Sequence, residues 1–236
     1  MSTLRERLDL VAEREGASVI QEHLARYEFA SGFVSGKNVL DIACGTGYGV
    51  AMLRKAGAAG VCGADLSQGA IDAANKSYGG DGIQFVAADA ESFMLGARYD
   101  VITSFETIEH LQHPDRFLQA VLHHLAPGGT FIVSTPARYG GTLESKPDNP
   151  FHVREWSAGE FYELLKPLFR EISMYGQYAL VKWPFPYSRT LQRKVLGLFK
   201  PQVVTDLDRY PVLRQAPRTP ALFPSTVAYC VAVCTR

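Results

Sequence analysis

The stretch Val39-Leu40-Asp41-Ile42-Ala43-Cys44-Gly45-Thr46-Gly47-Tyr48-Gly49 constrains the fold of this 236-residue chain more than any other. It begins as an apolar run suited to a buried strand. It then passes through glycines at alternate positions and enters Val50-Ala51-Met52-Leu53-Arg54-Lys55, a good helix opening. Strand, tight turn and helix form the first half of a nucleotide-binding α/β unit. Glycine suits the turn because the backbone reverses sharply and a ligand approaches where a Cβ would stand. The order Asp-x-x-x-Gly-x-Gly-x-Gly differs from the G-x-G-x-x-G of dinucleotide-binding dehydrogenases, which also predict no acid at Asp41. A carboxylate there repels a pyrophosphate. It does not repel a cationic ligand that carries an amino group.

Two more acids end apolar runs in the same manner. Asp65 closes Gly63-Ala64-Asp65-Leu66-Ser67, and Asp89 follows Ile83-Gln84-Phe85-Val86-Ala87-Ala88. Asp65 lies about where an α/β nucleotide site places an acid for ribose hydroxyls, at a strand end where ligands bind. VLDIACGTGYG, GADLS and AADAESF together resemble the successive motifs of class I S-adenosylmethionine (SAM) methyltransferases, in order and spacing, over roughly residues 39–169. The resemblance implies that Asp41, Ala43, Gly45, Thr46 and Gly47 lie under the methionine part of SAM. It implies that Asp65 receives the ribose hydroxyls, that Asp89 lies by the adenine amino group, and that Leu66, Ala90 and Phe105 also belong to the cofactor site. It also implies an α/β, Rossmann-like, seven-stranded and mostly parallel sheet with helices on both faces, whose last strand is inserted antiparallel.

Length allows one sizeable α/β domain with an accessory segment. Lys+Arg and Asp+Glu are both 24, so no global field favours nucleic acid or an anionic membrane. Cys44, Cys62, Cys230 and Cys234 sit in apolar, strand-like runs with no C-x-x-C pair. They read as reduced core thiols of a cytoplasmic protein. Neither a signal peptide nor a long apolar span is evident.

Two helices are expected at 2–15 and 17–31, the first with Leu4, Leu8 and Val11 on one side. With the turn that follows, they form an expected N-terminal cap over residues 1–36. The family resemblance implies that such a helix lies across the cofactor mouth, with Arg26 pairing the SAM carboxylate through a forked donor and Tyr27 closing over it. The cofactor-binding core is expected over 37–182. Strands are predicted near 38–43, 60–64, 83–86, 99–104, 129–135 and 171–177, and helices near 49–57, 67–77, 90–95, 114–125 and 157–168. Ala126-Pro127-Gly128-Gly129 reads as a helix stop and turn. The final core strand is expected at 226–236. Residues 183–225, opened by Trp183-Pro184-Phe185-Pro186-Tyr187, carry repeated prolines and a short predicted helix from Leu191 to Phe199. Such length between two strands suits a substrate-covering insertion.

The chemistry-bearing residues follow the fourth strand, in Glu106-Thr107-Ile108-Glu109-His110-Leu111. A helical turn brings Glu106, Glu109 and His110 to one side. His152, in Asn149-Pro150-Phe151-His152-Val153-Arg154-Glu155-Trp156, follows the neighbouring strand and can reach the same spot. Two carboxylates and two imidazoles suit an octahedral Mg²⁺ or Mn²⁺ site with two open positions, imidazole favouring Mn²⁺, Fe²⁺, Co²⁺ or Zn²⁺ over Mg²⁺. Glu-x-x-Glu-His with a later His resembles the metal site of small-RNA and ubiquinone-pathway O-methyltransferases, with Glu106, Glu109, His110 and His152 as the implied ligands. His110 as a general base without metal, or as a packing residue, are the other readings of the motif.

Ser134-Thr135-Pro136-Ala137-Arg138 and the segment around His152 resemble a bacterial subgroup associated with glycan pathways. The expected activity is therefore SAM-dependent O-methylation of a hydroxyl on a sugar or glycan precursor, with divalent metal assistance as an option. Aromatic residues Trp156, Trp183, Phe185 and Tyr187 offer faces for a sugar or a base. Lys182, Arg189, Arg193 and Lys194 offer charge for a phosphate. A quinone or phenol, an RNA 2′-hydroxyl and an amino sugar are alternative acceptors. Nucleic acid is disfavoured by the neutral charge. A non-catalytic SAM-binding scaffold is the rival of another class, and it has no need of the Glu and His residues together.

Overall fold

The computed structural model describes residues 17–138, 143, 146–147, 149–180, 202–209 and 226–236. Helix α1 (Ala17–Ser31) precedes an alternating core: β1 (Asn38–Ile42), α2 (Tyr48–Lys55), β2 (Gly60–Asp65), α3 (Gln68–Tyr78), β3 (Ile83–Ala87), β4 (Tyr99–Phe105), α4 (Pro114–His124) and β5 (Leu125–Pro136). Helix α5 (Ala158–Leu165) and strands β6 (Glu171–Leu180), β7 (Gln202–Arg209) and β8 (Thr226–Thr235) complete the order.

All strands join one sheet in the order β3-β2-β1-β4-β5-β8-β6-β7. β3, β2, β1, β4 and β5 run parallel, and β8 enters antiparallel between β5 and β6, as the resemblance implied. The seven expected strands are present. β7 adds an eighth at the edge, antiparallel to β6, from within the segment expected to be an insertion.

The apolar runs of the central strands bury both faces, as a helix-covered parallel sheet requires. Alternate residues divide between two cores. Leu40, Ile102, Phe131 and Ala232 face the side covered by α4 (Phe117, Leu118, Val121) and α5 (Phe161, Leu165). Val39, Val101, Ile132 and Val231 face the side where α1, α2 and α3 contribute Tyr27, Ala30, Val50, Leu53, Ile71 and Ala74. Each such large side chain contributes about 1.5–3 kcal/mol on burial.

Three local expectations are corrected. Residues 90–95 are turn and irregular chain, not helix. Asp89 Oδ1 accepts the Glu91 N–H at 2.9 Å, and His124 Nε2 accepts the Leu95 N–H at 2.9 Å, so side chains take the donors a helix would use. Ala126-Pro127-Gly128-Gly129 lies within β5, entered directly from α4, with Gly128 at φ 73° and a register shift opposite Tyr99 and Val101. Trp156 is not a sugar-facing aromatic: it is 2% exposed and packs near Phe161. The helices expected at 2–15 and from Leu191 to Phe199, together with Lys182, Trp183, Phe185, Tyr187, Arg189, Arg193 and Lys194, lie outside the described residues. The four cysteines are buried and unbridged.

Candidate functional site

The C-terminal ends of β1, β2, β4 and β5 gather the predicted residues. The only two non-glycine residues with positive φ among those described, Ala43 (61°) and Glu106 (52°), end the adjacent strands β1 and β4. Such conformations cost of order 1–3 kcal/mol and cluster where ligands are held.

The alternate glycines have different tasks. Gly45, at φ 55°, has nothing within 4 Å of where a Cβ would stand. A Cβ at Gly47 would lie 2.7 Å from Phe85, and one at Gly49 would collide with the Tyr27 ring. Only Gly45 therefore faces open space that a ligand can use. Gly47 and Gly49 admit protein side chains. Thr46, between Gly45 and Gly47, is half-buried.

Asp65, nearly buried at the end of β2, ties the loop to its own strand. Its carboxylate accepts the Gly45 N–H at 3.0 Å and the Ser67 N–H at 2.8 Å. A carboxylate offers about four acceptor positions, so hydroxyl donors can be received alongside these amides. Leu66 beside it is 71% exposed, an apolar face available to a base. Asp89 is exposed and Ala90 half-buried on the next strand end.

Asp41 is fully buried. Thr103 Oγ1 donates to its Oδ1 at 2.6 Å and Tyr27 Oη to its Oδ2 at 2.9 Å. Burial pushes its carboxyl up to about 7 against the opposing pull of these two donors, with Asp65 adding a smaller upward push. Asp41 thus anchors Tyr27 of α1 over β1. Tyr27 packs edge-on to Phe105 (4.9 Å) and Tyr48 (5.5 Å), so Phe105 supports Tyr27.

Arg26, adjacent on α1, is also fully buried. Its Nη1 donates to Gln177 Oε1 of β6 at 2.5 Å, and its guanidinium lies 4.5 Å from the centre of the Tyr229 ring of β8. Gln177 in turn donates to the Glu22 carbonyl at 3.0 Å. Arg26 Nε and Nη2 have no hydrogen-bond partner among the described residues. A buried guanidinium with two unused donors has the chemistry to pair a carboxylate.

Three of the four predicted Glu and His groups come together. One ligand atom each from Glu109, His110 and His152 lies within 4.8 Å of the others. Glu106 is not in this group. With its backbone turned to positive φ, its Oε1 accepts from Ser134 Oγ at 2.6 Å while its N–H donates to the same oxygen at 3.2 Å. The expected helical turn is a single 3-10 turn, Ile108–His110, which leaves Glu106 outside it.

Glu109 is fully buried and, among the described residues, neither carboxylate oxygen has a hydrogen-bond partner. Thr135 stands beside it, but its hydroxyl does not close a hydrogen bond. Burial first, then the Glu106 charge, push the Glu109 carboxyl well above its usual range. His110 Nδ1 lies 3.1 Å from the Phe151 carbonyl, which only accepts. Nδ1 therefore carries the proton, and Nε2 holds the lone pair, 3.9 Å from Glu109 Oε1. The His110 and His152 rings meet edge to face, 4.9 Å apart.

The loop bearing His152 is tied to this turn: the Val153 and Arg154 N–H groups both donate to the Glu109 carbonyl, at 2.8 and 3.2 Å. The sequence reading missed Glu155 and Asn149, which flank the His152 ring at 2.8 Å each. The signal available was their spacing of three residues on either side of His152. Thr103 and Gln177 were also missed, and nothing in their local sequence marks them; Ser134 was quoted for its resemblance but not as the partner of Glu106.

The description "Methyltransferase domain" belongs to the family model that matches residues 13–182. A probable S-adenosylmethionine-dependent methyltransferase of Mycolicibacterium smegmatis is 32% identical over 166 residues, 67% of this chain and 64% of that protein. The mitochondrial ubiquinone biosynthesis O-methyltransferase of Schizosaccharomyces pombe is 32% identical over 109 residues, 44% of this chain and 39% of that protein. The chain thus spans less than two thirds of the length of these curated relatives. Among solved structures, a SAM-dependent methyltransferase of Thermotoga maritima, titled a possible histamine N-methyltransferase, superposes with a TM-score of 0.61. It is 19% identical and covers 93% of this chain and 91% of its own, a likeness of fold.

Proposed function

We propose, because the chain belongs to the methyltransferase family whose model spans residues 13–182, that it transfers a methyl group from SAM to a hydroxyl of a sugar, glycan precursor or similar small molecule. Bound SAM supplies an electrophilic methyl carbon on a sulfonium, and a divalent cation, where one is held, supplies a Lewis acid that acidifies the acceptor hydroxyl. The remaining work falls to the chain's own residues. Gly45 leaves the space the cofactor needs, Asp65 receives the ribose hydroxyls, and Arg26 receives the carboxylate with its two unused donors. In the displacement the acceptor oxygen forms a bond to the methyl carbon as the carbon–sulfur bond breaks, and the hydroxyl proton must leave. His110 Nε2 is the group placed to take that proton, with Glu109 beside it to stabilise the resulting imidazolium. Holding the oxygen in line supplies much of the acceleration.

One observation carries this reading: Glu109, fully buried, with both oxygens unpartnered, beside His110 and His152. Such a group either keeps a proton or takes a cation, a metal ion or a protonated imidazole, as its partner. Glu109, His110 and His152 suit Mn²⁺ or Mg²⁺ with positions left for neighbouring hydroxyls. A phenol or quinol acceptor is the second reading. It is favoured by Phe151 and Val153, 46% and 38% exposed on either side of His152, which offer an apolar rim to an aromatic ring.

Calorimetric titration of Mn²⁺ and Mg²⁺ into the protein loaded with S-adenosylhomocysteine tests the metal. One-to-one binding that Glu109→Gln and His110→Ala each abolish, and Glu106→Gln only weakens, is the expected result. Absence of binding removes the metal and leaves His110 as the base.

A further inference from the structure

Glu155 and Asn149 flank the His152 ring from opposite sides. His152 Nδ1 lies 2.8 Å from Glu155 Oε1, and its Nε2 lies 2.8 Å from Asn149 Nδ2. The orientation of the Asn149 amide is set independently, because its Oδ1 accepts the Phe151 N–H at 3.1 Å and so its nitrogen must face the ring. An amide nitrogen only donates and a carboxylate only accepts. The ring is therefore in the tautomer with the proton on Nδ1 and the lone pair on Nε2. Both Glu155 and the His152 side chain are about nine-tenths buried, so the pair is shielded from competing water.

Glu155 is itself held by the fold. It precedes Trp156, whose carbonyl accepts the Arg138 N–H at 2.8 Å, and its own carbonyl accepts from Arg138 Nε at 3.2 Å. Arg138 also pairs with Glu160, the residue that closes the capping box of α5 with Ser157. The backbone that carries Glu155 is thus tied to the chain just beyond β5 and, through Arg138, to α5.

We propose that Glu155 is a positioning residue. By taking the Nδ1–H of His152, it fixes the tautomer and ring angle that leave the lone pair on Nε2 in a ring clustered with Glu109 and His110. The proposal rests on the reading that those three groups activate the acceptor, and it assigns a second role to Asn149, whose amide holds the lone pair until a stronger partner displaces it. A carboxylate behind a ligating imidazole is a recurring way to set ring orientation and basicity.

The test is long-range ¹H–¹⁵N correlation spectroscopy of the histidine rings in the full chain loaded with S-adenosylhomocysteine, with Mn²⁺ titrated in parallel by calorimetry. Wild-type His152 is expected to have a protonated Nδ1 and a bare Nε2. In Glu155→Met, which keeps volume and removes the acceptor, the pattern should change to a mixture of tautomers. Mn²⁺ affinity should fall roughly 10–100-fold. Glu155→Gln should restore the wild-type tautomer, since its amide oxygen accepts the same proton, with the Nδ1–H resonance moved upfield by loss of the charge. A wild-type ring protonated on Nε2, or a Glu155→Met spectrum identical to wild type, overturns the proposal, the latter by giving the whole role to Asn149. If Glu155→Met does not fold, an unmoved Nδ1–H resonance in Glu155→Gln overturns it equally. If wild-type protein takes up no Mn²⁺, the metal reading fails, and the tautomer in the variants alone decides the role of Glu155.

Discussion

At Asp41 burial and two hydroxyl donors pull in opposite directions, and burial prevails. Two hydroxyls hold its carboxylate, yet burial raises its carboxyl to about 7. The folded chain therefore keeps a proton that the unfolded chain has already released above the ordinary carboxylate range. Stability from this group is greatest below about pH 4, declines as pH rises to about 7, and is level beyond, a span on the order of 4 kcal/mol. Asp41→Asn keeps the Thr103 acceptor and abolishes the titration. Thermal melts across that range should show the variant losing this part of the pH dependence. Single residues were legible in the sequence where they sit at strand ends: Asp41, Asp65 and Asp89 are all placed as their spacing predicts. What the side chains do there was not legible. Asp41 is engaged by Tyr27 and Thr103, and Glu106 turns to Ser134, because partners distant in sequence decide these directions.

At the scale of elements, the loop that returns from β5 to α5 is the least obvious construction and the one the site depends on. It is pinned at one end by the Val153 and Arg154 bonds to Glu109 and at the other by the α5 capping box, in which Ser157 Oγ accepts from the Glu160 N–H and Glu160 accepts from the Ser157 N–H. Replacing a capping serine costs about 1 kcal/mol. Ser157→Ala should lower stability by about that amount and speed hydrogen exchange at the Val153 and Arg154 amides, while the amides of β1 and β4 keep their protection. The helix was expected from residue 157, but its capping box was not read, although Ser157-Ala158-Gly159-Glu160 carries the Ser-x-x-Glu pattern. The helix expected at 90–95 was misread, since its apolar residues suggest helix while Asp89 and His124, the latter from a different element, hold the chain in a turn. Strand β7 was hidden by the prolines around it, although Val203, Thr205 and Leu207 alternate as an edge strand would.

Across the whole molecule the alternation of strands and helices was enough to give the parallel half of the sheet, because short right-handed crossovers leave few arrangements. The position of β8 came only from family resemblance, since periodicity says nothing of strand order. A sheet whose glycine loop, Asp65 and Arg26 come from three different elements should respond to the cofactor product as a unit. S-adenosylhomocysteine at about 100 times its Kd should stabilise the chain by about 2.7 kcal/mol. A thermal shift that Asp65→Ala largely removes is the expected outcome.

The insertion of β8 between β5 and β6 also sets an order of events during synthesis. β6 is made well before β8, yet its neighbours in the sheet are β8 and β7, neither of which exists when it leaves the ribosome. The five parallel strands can assemble as they emerge, while β6 must wait with an unpaired edge until β8 arrives to join it to β5. Gln177 lies on that waiting strand and Tyr229 on the late one. The seat of Arg26 is therefore among the last parts of the molecule to form, and a nascent chain acquires its glycine loop before it can close that seat.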